Sequence, residues 1–147
     1  MTEPADPYGA LAEGAAQILD TAGIGTYDPD DVITGTAIVI GGLPQSPDNV
    51  AAVTAYPVQD DPQTPDSVIG LQIRTRAAGE DPTAVSALDS AIFNALQGLK
   101  GVQINGVPVA IMWRQSSGLL GQDDNHRWQR SSNYYARVAW HTANRED

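Results

Sequence analysis

Two histidines, 18 carboxylates and no cysteine bound the chemistry open to this 147-residue chain. A thiolate nucleophile, a thiolate zinc site and a disulfide scaffold are excluded. His126 lies in Asp123-Asp124-Asn125-His126-Arg127, whose side chains are of metal-ligating type. Consecutive loop residues rarely converge on one ion, however, and no second cluster supplies further ligands. His141 falls near the end of an alternating apolar segment, where a structural role is the ordinary one. Asp28-Pro29-Asp30-Asp31 resembles a calcium loop only superficially. It lacks the alternating oxygen ligands, the sixth-position glycine and the closing glutamate.

No phosphate cradle or nucleophile elbow stands out. Gly23-Ile24-Gly25 and Gly41-Gly42 lack P-loop spacing, and the single lysine, Lys100, follows a helical segment instead of opening one. Ser116-Ser117, between Gln115 and Gly118, suits a turn and not a G-x-S-x-G elbow. Acids are abundant, but no carboxylate pair is distinguished from the rest. The chain therefore reads as a non-enzyme with no cofactor and no bound metal.

The residues that remain of interest are those suited to contacts. Arg74 and Arg76 share one face of a strand, Arg127 and Arg130 close a long polar stretch, and Trp128 lies between them. Asp60 and Asp61 sit in the acidic, proline-rich segment 59–66. Surface ion pairs with the chain's own acids are one reading of the arginines, worth only ~0–1 kcal/mol each. The other is contact with a neighbouring subunit, where Asp60, Asp61, Arg74, Arg76, Arg127, Trp128 and Arg130 are the candidates. There, charge would set orientation more than affinity.

Two helices and a set of strands must position these residues. Asp6-Pro7 and Asp81-Pro82 each place an N-cap acid before a proline. Tyr8, Leu11, Ala15, Ile18 and Leu19 form the first stripe; Val85, Leu88, Ile92, Leu96 and Leu99 form the second. Gly23 and Gly98 are the expected stops. Period-two segments predict strands at 36–40, 50–56, 68–76, 107–114 and 132–141. The alternation directs Ile69, Leu71 and Ile73 one way, with Gln72, Arg74 and Arg76 opposite, and puts Val109, Ile111 and Trp113 on one face. Pro108 belongs at a strand start or an edge. Residues 116–130 read as a long polar loop, and 142–147 as a flexible tail. The expectation is one domain over 1–147 with an α+β fold. It has a mainly antiparallel sheet of about five to six strands and two helices on one face, in the order helix, three strands, helix, two to three strands.

Charge adds an asymmetry. The net charge is −10. Residues 1–73 hold 11 acids and no Lys or Arg; residues 74–147 hold 7 acids and 8 bases. Polyanion binding and adsorption to an anionic membrane are disfavoured. No apolar run approaches the ~20 residues of a membrane span, and the start lacks the features of a signal peptide, so the chain reads as soluble and used without export.

The order of motifs resembles the tail terminator (minor capsid) proteins of long-tailed bacteriophages. The resemblance rests on the early helix, VIGLQIRTR (68–76) leading to Glu80-Asp81-Pro82 and the long helix, and VQINGVPVAIMWRQSS (102–117). Leu120-Gly121-Gln122-Asp123 with Arg127, and Asn133-Tyr134-Tyr135, complete it. It implies a virion structural protein assembled in the host cytoplasm. The expected product is a ring, usually hexameric, at the head-proximal end of the tail tube. Its implied partners are its own copies, the tail tube protein and the head–tail connector protein, with DNA passing through the lumen without sequence-specific binding. Another neck or tail subunit, and a small acidic ligand-binding domain or hydrolase, are the alternative readings.

Overall fold

A computed structural model describes residues 3–145. Helix α1 (Pro7–Thr21) starts where the sequence places it: the Asp6 carboxylate accepts the Tyr8 amide at 3.1 Å, with Pro7 at the first helical position. It closes with Gly23 in the left-handed region (φ 79°), the Ile24 amide reaching back to the Leu19 carbonyl at 3.1 Å. That paired closure needs a residue free of the Cβ penalty. Helix α2 (Thr83–Leu96) starts one residue later than the sequence places it: Pro82 and not Asp81 is its N-cap, and Asp81, one position earlier, accepts the Thr83 amide at 2.9 Å. Leu99 lies beyond its end, on an extended segment whose carbonyl accepts the Met112 amide at 2.8 Å. It reaches the core without being helical.

The strands are β1 (Ala37–Ile40), β2 (Val50–Asp60), β3 (Asp66–Ala77), β4 (Lys100–Ile104), β5 (Val107–Gln122) and β6 (Trp128–Ala139). They form one six-stranded sheet in the order β1-β2-β3-β6-β5-β4. Only β1–β2 is parallel; every other pair is antiparallel. The fold is thus α+β, helix, three strands, helix, three strands. Both helices pack on one face, where Leu11, Leu19, Ile92 and Leu96 meet Val53, Leu71, Ile73, Met112 and Tyr134. Burying such a row of apolar side chains supplies the main driving force for the fold.

Four expectations need correction. Residues 116–130 are not a loop: β5 runs to Gln122, β6 starts at Trp128, and only a tight turn joins them. Here the Asp123 carboxylate accepts the Asn125 and Arg127 amides at 3.0 and 2.9 Å. Ile111 does not share the buried face of Val109. A bulge between them turns Ile111 outward, 40% exposed, and leaves Met112 fully buried. Strand β2 does not stop before Pro57 but passes through it with a bulge. Its pairing with β1 ends at Val53, so no ladder donor is needed there. Arg76 is on the same face as Arg74 but buried, because residues 45–48 fold over that end of β3.

Candidate subunit interface

The late arginines are held by the chain itself at two polar clamps. At the first, the Arg76 guanidinium donates to the Pro47 carbonyl at 2.6 Å and the Asp48 carbonyl at 3.0 Å. Arg127 pairs with Asp123 at 2.9 Å and Asp48 at 3.3 Å and donates to the Gln45 carbonyl at 2.6 Å. Both arginines are buried. Burial, followed by the nearby Arg127 charge, lowers the Arg76 pKa from its usual value. This clamp fastens the β1–β2 connection to the β5–β6 turn.

The second clamp centres on Asp89 of α2, which is 3% exposed. Its carboxylate accepts from the buried Ser132 hydroxyl at 2.5 Å and from Arg130 Nε at 3.3 Å, and pairs with Arg114 at 3.5 Å. Arg114 also lies 4.2 Å from the Phe93 ring centroid, a cation–π arrangement. Tyr134 lies fully buried on the same strand as Ser132, and its phenol is pushed up to about 12 by burial and then by the Asp89 charge. Asp89 was not singled out in the sequence. Its signal was there: it occupies the stripe position between Val85 and Ile92, with arginines and serines downstream to receive it.

The remaining candidates are scattered. Arg74 is exposed, with no ion pair or hydrogen bond among the described residues. Asp60 accepts the Ser67 hydroxyl at 2.8 Å, and Asp61 accepts the Gln63 and Thr64 amides at 2.8 and 3.1 Å. Those amide bonds hold the Asp61 carboxyl below its ordinary range. Trp128 is half-buried, its indole N–H enclosed without an acceptor among the described residues. Arg130 belongs to the Asp89 clamp. Asp60 ends β2 and Asp61 follows it, whereas Trp128 and Arg130 lie at the start of β6 near the opposite end of the sheet, so these seven residues do not form one patch.

The chemistry candidates are dispersed too. His126 (φ 61°) lies on the exposed β5–β6 turn. His141 lies past the other end of β6 and bonds Glu3, Nδ1 to Oε1 at 2.7 Å. The Asp28 and Asp31 carboxylates accept amides of their own loop, at Asp30 and Val32. Among the described residues no group of three or more His, Asp or Glu is placed to hold a metal, and no helix is long and apolar enough to cross a membrane. Of the expected tail 142–147, residues 146–147 lie outside the described residues; Arg145 turns back to the Trp140 and Asp61 carbonyls and the Ser67 hydroxyl.

Among the described residues, no helix packs on the face of the sheet away from α1 and α2. Tyr56 lies across Gly70 of the neighbouring strand so closely that a Cβ at Gly70 would come within 2.3 Å of the ring, a contact only glycine permits. The Tyr56 hydroxyl donates to Asn133 at 2.9 Å and the Asn133 amide to Ser116 at 3.2 Å, tying β2, β6 and β5 together. Trp113 and Tyr135 meet edge to face at 5.9 Å. At the β1 edge, a hollow of about 510 Å³ is lined by Tyr27, Val32, Ile40 and Pro47 with Asp28 and Asp31 at its rim. Another, of about 340 Å³, spans β4, β5 and β6 between Val102, Pro108, Ala110 and Arg137.

The comparisons give the class. The profile of the bacteriophage tail terminator protein family matches residues 18–140, and the chain belongs to that family of phage tail structural proteins. In fold, it is similar to a chain in the structure described as the virion of a native gene transfer agent particle. The TM-score is 0.55 and the identity 14%, over 85% of this chain and 84% of that one. No curated protein matches the chain.

Proposed function

We propose that this protein, acting as a single domain, forms a ring at the head-proximal end of the phage tail tube. There it ends tube polymerisation and joins the tail to the head connector. The observation that carries this reading is the tail terminator match over residues 18–140. The fold shared with a chain of a gene transfer agent virion supports a place in the virion. Six copies are expected from the family resemblance, with the tail tube protein and the head–tail connector as partners and DNA passing through the lumen. A ring contact is head-to-tail, so each copy needs two different surfaces. The exposed candidates Asp60, Asp61 and Arg74, with half-buried Trp128, are available to such surfaces. Arg76, Arg127 and Arg130 serve them indirectly, by holding the β5–β6 hairpin and the 45–48 segment in place.

Electron microscopy of tails assembled with and without the protein tests this. Tails of uniform length with it, and overlong tubes without it, are expected. Tubes of unchanged length in its absence would refute the reading. A monomer in free solution would not, because a charge of −10 per copy opposes self-association at low salt.

A further inference from the structure

The two edges of the sheet are chemically opposite. Beside β1 lies the segment Tyr27–Ile33, with Asp28, Asp30 and Asp31 and no base. The two arginines that reach the adjoining 45–48 loop, Arg76 and Arg127, are buried and paired internally. Beside β4 the situation is reversed. From Ser90 to Gln122 there is no acid, and Lys100 is exposed at the start of β4 with no ion pair among the described residues. Arg137, on β6, is also exposed and has no ion pair among the described residues; it lines the hollow that β6 and β5 share with β4, where Asp66 is the one acid among the lining residues.

Both edges also carry exposed apolar side chains. Val32 is 88% exposed and Ile40 45% on the β1 side; Ile111 is 40% and Val102 37% on the β4 side. These are four of the seven large hydrophobic residues exposed among the described residues. Thr26 occupies the first half of the outer side of β1, its amide donating to the Thr36 carbonyl at 3.0 Å and its carbonyl accepting the Ile38 amide at 2.9 Å; among the described residues no strand lies along the rest of that side, at Val39 and Ile40, or along the outer side of β4. An open edge bearing apolar side chains is a template for pairing that folded proteins normally block.

We propose that the β1 edge of one copy seats against the β4 edge of the next, bringing Asp30 and Asp31 to Lys100 and Arg137. This rests on the ring reading and names its contact. The occupant of each edge is a second copy of this chain, because each edge supplies the charge and apolar surface that the other lacks. Two β1 edges would repel each other, as would two β4 edges, so the contact is head-to-tail. The ion pairs set orientation; burial of Val32, Ile40, Val102 and Ile111 supplies the attraction.

Lys100 is the only lysine, so a zero-length carbodiimide reagent, which joins an amine to a carboxylate in contact with it, reports directly on this contact. Equal amounts of unlabelled and nitrogen-15-labelled protein are bound together to assembled tails, coupled and digested. Mixed-isotope peptides joining Lys100 to the Asp28–Asp31 segment are expected, and they disappear in Lys100→Arg, which keeps the charge but not the reactive amine. Tail-bound protein in which Lys100 couples across copies only to other carboxylates, or to none, overturns the edge contact while tails of normal length leave the ring reading standing. Protein absent from the tails overturns both. Asp30→Arg/Asp31→Arg and Lys100→Asp/Arg137→Asp are each expected to lower the ring-bound fraction at least tenfold. Mixing the two restores it, because an alternating ring re-pairs the charges. Failure of the mixture to recover, with both variants folded by circular dichroism, also overturns the contact.

Discussion

Replacing Asp89 by alanine should be among the most damaging single changes to the stability of this protein. The carboxylate is 3% exposed and receives the Ser132 hydroxyl at 2.5 Å, Arg130 at 3.3 Å and Arg114 at 3.5 Å. Ser132 is fully buried, so its loss of the carboxylate acceptor costs ~1–3 kcal/mol, moderated by its second contact with the Ser117 hydroxyl at 2.9 Å. Arg114 and Arg130 keep 32% and 26% side-chain exposure. Water can therefore take over much of their solvation, and each pair is worth only ~0–1 kcal/mol. The total is about 1–5 kcal/mol, centred near the low end of the ~3–5 kcal/mol for breaking a wholly buried pair. At this chain length each kcal/mol lowers Tm by ~2–4 °C, so a drop of roughly 6–12 °C is expected at the middle of that range. Urea and thermal unfolding followed by circular dichroism measure it, with Glu13→Ala, at an exposed position of α1, as a control that should change stability by no more than ~0.5 kcal/mol. A double-mutant cycle with Ser132→Ala should give a coupling above ~1 kcal/mol. An Asp89→Ala protein as stable as the control, or a coupling near zero, would refute the account of this clamp.

Two further outcomes follow from side-chain contacts. Gly70→Ala drives a Cβ to within 2.3 Å of the Tyr56 ring and must displace it from Asn133; a loss of ~1–3 kcal/mol is expected, recovered when Tyr56→Ala is added to make room. Failure of the second substitution to recover any stability would count against the contact. Tyr134, with its pKa raised from 10 to about 12, binds its proton more tightly in the folded state. Its contribution is therefore complete below pH 10 and lost as pH rises through 12, removing ~2–3 kcal/mol of stability. Tyr134→Phe should flatten that part of the stability–pH curve, as followed by urea unfolding at stepped alkaline pH.

The helix starts were legible because Asp-Pro is a local signal: the capping carboxylate and the fixed proline φ act within three residues. The β3 and β6 core faces were legible because strict alternation records burial on one side of a pleated strand. The distal half of the β5–β6 hairpin was not. Beyond Ile111 no strand among the described residues covers the outer side of β5, so residues such as Ser116, Gly118 and Gln122 reflect exposure and not the lack of a strand. Three register shifts in the β5–β6 pairing further broke the period that would have marked it, which is also why Ile111 was assigned to the wrong face. The role of the late arginines was hidden for a different reason. Arg76 and Arg127 meet Asp48 only after β2 and β3 pair and the 45–48 segment folds over them, a contact between residues 28 to 79 positions apart.

The placement of charge in the fold bears on how such a subunit can assemble. In sequence the acids precede Arg74 and the bases follow it, but β2 pairs with β3, so that boundary falls inside the sheet. What separates the charges is the insertion of β6 between β3 and β5, which carries the acid-free β4–β5 hairpin to the edge opposite β1. The internal clamps sharpen the separation. Asp89 pairs with Arg114 and Arg130, Asp48 and Asp123 pair with Arg127, and Arg76 is buried against the Pro47 and Asp48 carbonyls, which among the described residues leaves Lys100, Arg74 and Arg137 as exposed cations without an ion pair and the Tyr27–Ile33 acids on the other side. A surface of this kind opposes pairing through two like edges and so disfavours a two-fold dimer, which must bring the same patch together twice. It leaves open the unlike contact, which propagates. Whether propagation gives a closed ring or an open filament is set by the angle each contact imposes. Under the proposed ring, the contact must close, and the clamps at Asp89 and Asp48 then bear on assembly: they tie the β5–β6 hairpin to α2 and to the 45–48 segment, and so fix where one edge lies relative to the other.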